Sequence, residues 1–113
     1  MRDRASTLLL LLTLSRPLEE LRAQLRAFPW DCDRDLVVFT RQHATNVLRR
    51  YLAGELDAKT VADWADAIEM REDIGHEPGC ENALNELIFE VANPEINYAL
   101  TPERAEEWLE RLQ

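Results

Sequence analysis

The sequence predicts an all-α fold, a single compact bundle of four to five helices. Apolar residues recur at spacings of three and four in several separate stretches, the signature of one buried stripe per helix. The 3 Gly and 5 Pro of the 113 residues are scarce, and the prolines fall between the periodic segments, as short interhelical loops require. Only one short β-branched run stands out, and it has no clear partner strand. A chain of this length forms one domain with a modest core, and 46% hydrophobic with 31% charged residues is a globular composition.

The first element is the least orthodox. Arg2 and Arg4 precede a run of leucines from Leu8 to Leu14, which imitates the basic-then-apolar opening of an export signal. The run is too short for a membrane span, which takes roughly 20 residues. Ser15-Arg16-Pro17 supplies no small-x-small cleavage site. Three readings stay open for residues 1–16: an export signal, a buried apolar segment, or an over-long start. The helical domain is expected over 17–113.

Pro17 fits a first helical turn with Ser15 as cap, and Leu18, Leu21, Leu25 and Phe28 form its stripe. Pro29 ends it. Trp30 to Asp35 is turn-rich. Leu36 to Phe39 is β-branched, and without a second strand it is expected to be an extended lead-in planting Leu36 and Phe39 in the core. Thr40 caps a helix whose inner face is Ala44, Val47, Leu48, Tyr51 and Leu52, stopped at Gly54. Asp57 caps the next, with Val61, Trp64, Ala65 and Ile68 inward. The short link suggests an antiparallel hairpin, with Arg49 or Arg50 beside Asp63 or Asp66. Arg71 to Gly79 is expected to be a loop. Leu84, Leu87, Ile88 and Val91 define another helix, ended by Asn93-Pro94. Thr101-Pro102 opens the last, with Ala105, Trp108, Leu109 and Leu112 buried.

Charge divides the chain. Before Glu55 there are 9 Lys+Arg and 6 Asp+Glu, a balance of +3; from Glu55 onward there are 4 and 16, a balance of −12. A net charge of −9 opposes direct binding of nucleic acid, which needs a basic footprint, and favours a basic protein partner. Cys32 and Cys80 are isolated thiols, which fit a reducing cytoplasm better than a disulfide framework.

Chemistry-bearing patterns are few. His76-Glu77-Pro78-Gly79-Cys80 lacks the two helical histidines of a zinc protease, and Pro78-Gly79 breaks any helix there. His43, His76, Cys32 and Cys80 match no familiar zinc-finger spacing, so neither metal nor cofactor is expected. Cys80 and His76 lack an orienting third group, and the carboxylates lie on outer faces, so catalysis is not expected. Trp64 and Trp108 belong at inward positions, whereas Trp30 is the candidate exposed anchor. The candidate partner-binding residues are Asp63, Asp66, Glu69, Glu72, Asp73, Glu77, Glu86 and Glu90, together with Trp30. Glu86 and Glu90 stand four apart, where like charges oppose helix formation slightly. Aligned carboxylates of this kind complement a basic groove built for nucleic acid. The plainer reading is a solvated face.

Three stretches carry a family resemblance: V-L-R-R-Y-L-A-G-E-L-D-A-K-T-V-A-D-W from Val47 to Trp64, A-L-N-E-L-I-F-E-V-A from Ala83, and L-T-P-E-R-A-E-E-W-L-E-R-L from Leu100. In layout they resemble the colicin D-type bacterial immunity proteins over roughly residues 41–112. The resemblance implies a small acidic helical bundle that neutralises a transfer-RNA-cleaving toxin by covering its basic active site. Trp64 to Gly75 also resembles small bacterial proteins of unassigned role. The expected function is therefore a non-enzymatic immunity- or antitoxin-like inhibitor; the alternative is an acidic structural or regulatory module without a toxin partner.

Overall fold

The computed structural model describes residues 3–29 and 34–113. Seven helices and two short strands follow in the order α1 (Arg4–Thr13), α2 (Leu18–Leu25), β1 (Val37–Phe39), α3 (Arg41–Leu52), α4 (Ala58–Glu69), β2 (Ile74–His76), α5 (Glu81–Ala92), α6 (Pro94–Asn97) and α7 (Pro102–Arg111). The fold is largely helical, as the periodicity predicts. It exceeds the expected four to five helices because the leucine run and Pro94–Asn97 each form one.

The leucine run is the centre of the core. Asp3 caps α1 by accepting the Ser6 N–H at 2.7 Å, and Leu8, Leu11 and Leu12 are fully buried. The helix stops at Leu14, whose φ of 48° is left-handed although its side chain stays buried. The expected Ser15 cap on α2 is corrected: α2 has no side-chain cap, and the Ser15 hydroxyl pairs with Thr13 Oγ1 instead. Leu21 and Leu25 are buried as the stripe requires.

The sheet is the main departure. Val37–Phe39 is a strand rather than a lead-in, and the expected 71–79 loop contains its partner. The two pair in parallel, with Val37, Val38 and Phe39 opposite Ile74, Gly75 and His76. Two further bonds lengthen the ladder, Leu36 N–H to Asp73 O at 2.8 Å and Glu77 N–H to Phe39 O at 2.9 Å. A three-residue strand written Ile-Gly-His has neither alternation nor β-branched enrichment, so local pattern could not reveal it. Parallel strands need a long crossover, and α3 and α4 together supply it.

Thr40 caps α3 in a reciprocal box with His43: the hydroxyl accepts the His43 N–H at 3.2 Å, and His43 Nδ1 accepts the Thr40 N–H at 3.1 Å. Asp57 caps α4 through the Thr60 N–H at 2.7 Å. Although α3 and α4 are joined by a short link, α4 packs chiefly on α5, while α3 packs on α7 and α1. The expected pairing between their charged faces is therefore corrected. Arg50 bonds Glu55, Asp63 bonds Lys59, and Asp66 bonds Arg22 of α2. Trp64 is buried and donates its indole N–H to Leu11 O at 2.8 Å, locking α4 to α1. Trp108 is likewise buried.

Candidate partner-binding surface

Eight of the nine residues singled out from the sequence are described, and they separate by burial. Asp66, Glu69, Glu72 and Glu86 are exposed. Asp66 lies 3.4 Å from Arg22, Glu69 accepts the Asn93 side-chain amide at 3.1 Å, and Glu86 pairs with Arg111. These four are available to a partner. Asp63 is intermediate, held at 2.8 Å by Lys59 one turn earlier. Trp30 lies outside the described residues.

The remaining three serve the fold. Asp73 is corrected outright, because its side chain is fully buried. Its carboxylate receives Arg4 Nε at 2.9 Å and two bonds from Arg71, each at 2.9 Å. Both arginines also donate to Pro29 O, so one carboxylate gathers α1, the end of the α2 segment and the approach to β2. Burial pushes the Asp73 carboxyl up, but hydrogen bonds and charge from Arg71 and Arg4 outweigh it and hold the group below the ordinary range. A residue one place beyond the exposed Glu72 turns inward because the chain is entering β2.

Glu90 is corrected from outward to half-buried. It accepts Arg104 Nε and the Trp108 indole N–H, both at 2.8 Å. Arg104 foremost, with Trp108, keeps its carboxyl below the usual range despite burial. The guanidinium groups of Arg104 and Arg111 lie 5.3 and 4.6 Å from the Trp108 ring centre. Glu77 is tied to Arg41, accepting its backbone N–H at 2.9 Å and pairing with its guanidinium at 3.1 Å.

The structure also presents carboxylates that pattern reading passed over. Glu103, Glu106, Glu107 and Glu110 are exposed along one face of α7, opposite Ala105 and Trp108. Their spacing of three, one and three was the available signal. Among the described residues only Glu107 of these four pairs with a cation, Arg104 at 2.8 Å. Ile96 and Tyr98 are exposed apolar side chains in the same half.

The two histidines bracket Phe39 rather than a ligand. His43 stacks on its ring at 6.2 Å, and His76 meets it edge-on at 6.0 Å. Burial lowers the proton affinity of both. Among the described residues no group of three or more His, Cys, Asp and Glu is placed to hold a metal ion. No described helix is long and apolar enough to cross a membrane. No protein-family model matches the chain, and no curated protein or solved structure matches it.

Proposed function

We propose that the chain is a non-enzymatic, protein-binding inhibitor of the immunity or antitoxin class. It acts in the cytoplasm and covers a basic, nuclease-like surface of its partner with acidic helix faces. One observation carries the reading. From Glu55 onward there are 16 Asp+Glu and 4 Lys+Arg, and each of those four cations is already bonded to a carboxylate. Nothing in that half offsets the surplus, so its field is directed at solvent, where it attracts and orients a cationic surface. Asp66, Glu69 and Glu72 at the end of α4, with Glu86 on α5 and the outer face of α7, are the contact candidates. A non-catalytic role suits the carboxylates: the buried one, Asp73, is held ionised between two arginines and has no proton to give at neutral pH.

The alternative is a small acidic structural or regulatory interaction module with no toxin partner. The internal use of Asp73, Glu77 and Glu90 favours it, because those charges serve the fold. Titrating the chain with the product of a neighbouring toxin gene at low and high salt discriminates the two. The inhibitor reading expects tight, salt-sensitive binding that is lost when Asp66, Glu69 and Glu72 are changed to lysine. Absence of any complex overturns it. The module reading expects co-purification with one abundant assembly whatever the charge at those positions.

A further inference from the structure

The four most exposed large apolar side chains among the described residues are Met70 (67%), Phe89 (51%), Ile96 (65%) and Tyr98 (86%). All lie where α4 and α5 end, or just beyond. Asn93 ties this region together. Its side-chain amide donates to Glu69 Oε2 at 3.1 Å and to Phe89 O at 2.7 Å, and its carbonyl accepts the Ile96 N–H at 3.1 Å. Scattered exposed hydrophobics are ordinary, whereas several gathered at one end of a small domain mark an interaction surface.

Tyr98 adds a second observation. Its backbone has φ 67° and ψ 159°, a region that is essentially glycine's alone. With the side chain 86% exposed, packing inside the chain does not compensate that strain. Beside this ridge, between α2 and α4, runs an open groove of about 450 Å³. Leu25, Phe28, Ala67 and Met70 give it apolar walls, and its charged lining is Arg22, Arg26 and Arg71 against Asp66. Met70 belongs to both groove and ridge. Arg26 and Glu95 are both exposed, and neither has a partner among the described residues.

We propose that this end of the molecule binds a second copy of the chain, with Glu95–Tyr98 of each copy seated in the arginine-lined groove of the other. Charge complementarity selects this occupant. Arg22 and Arg71 of the lining are already paired with Asp66 and Asp73, which leaves Arg26 as the open cation of the groove; it disfavours a basic partner, whereas residues 81–113 carry 8 Glu and 2 Arg. Ile96 and Tyr98 enter the apolar walls, and Glu95 meets Arg26 of the other copy. Because ridge and groove adjoin at Met70, a two-fold axis uses the contact twice and closes the assembly, the commonest symmetry of soluble oligomers. The inference does not rest on the inhibitor reading, since its partner is different, although the groove shares Asp66 with that reading's contact candidates and the apolar set adjoins Glu69.

Sedimentation of the full chain from low to high micromolar concentration tests it. The mass is expected to rise from 13.1 kDa towards twice that value. Tyr98→Gly removes the anchor and relaxes the backbone, so dimerisation should weaken by about tenfold or more while the melting temperature holds or rises. Arg26→Glu should weaken the dimer, and Arg26→Glu combined with Glu95→Arg should restore it. A chain that remains monomeric throughout overturns the proposal. So does a dimer indifferent to Tyr98→Gly, or a charge swap that fails to rescue.

Discussion

At the scale of single residues, burial sets Asp73 apart from every other described carboxylate. It is buried, yet three hydrogen bonds from Arg4 and Arg71 satisfy it, and the same arginines reach Pro29 O. Asp73→Asn would leave the largely buried Arg71 guanidinium without its counter-charge and would remove one carboxylate from Arg4. Breaking a buried pair in this way costs about 3 kcal/mol, measurable by urea unfolding at neutral pH. The carboxyl is held below its ordinary value of 3.8, so the folded state binds fewer protons than the unfolded state in that range. Its contribution is fully present above about pH 4 and is lost as pH falls through the lowered folded value. The natural chain should therefore lose more stability on acidification than Asp73→Asn does.

At the scale of elements, the parallel pair of β1 and β2 and the start of α3 act as one unit around Phe39. Gly75 lies close under the exposed Asp35 side chain: a Cβ at that position would meet the Asp35 carboxylate and lie 2.8 Å from its Cγ. Because Asp35 is exposed and its carboxylate can swing aside, Gly75→Ala is expected to destabilise by no more than about 1 kcal/mol, and adding Asp35→Ala should recover most of the loss in a double-mutant cycle. His43 provides a pH-dependent element. Its Nδ1 accepts the Thr40 N–H, a bond that a proton on that nitrogen would remove. Burial lowers the folded-state affinity of His43 and His76 for a proton below the ordinary 6.5. Their contribution is complete above about pH 6.5 and declines as pH falls through the lowered folded values. His43→Gln keeps an acceptor at the third position of the helix and removes one titrating group. Thermal melts between pH 7 and 5 should show a shallower decline for this variant.

At the scale of the whole molecule, the chain is compact, with a radius of gyration of 13.4 Å, close to the roughly 13 Å expected for a single domain of about this length. One continuous core joins leucines of α1 to Trp64, to Phe39 of the sheet and to the inner faces of α5 and α7. Removing residues 3–16 would expose those contacts and delete the Leu11 carbonyl that holds the Trp64 indole. The shortened chain is expected to lose cooperative unfolding and native tryptophan fluorescence, and a normal sigmoidal melt would contradict this account of the core.

The sequence by itself determined the five longer helices between 18 and 111, but not the short α6, together with their inner faces and most of their caps, because spacing, capping residues and prolines act within a turn or two. Thr40, Asp57 and Thr101 cap as their types require, and Leu84, Leu87, Ile88 and Val91 are buried as their spacing requires. It also determined the surplus of negative charge. Tertiary structure alone decided how that charge is used. Asp73 and Glu72 are neighbours of the same charge class, yet one is buried between arginines that stand 69 and 2 residues away, and the other faces solvent. Likewise Ile74-Gly75-His76 becomes a strand only because β1 lies beside it. Long-range pairing depends on which surfaces meet, and residue spacing along the chain does not encode that.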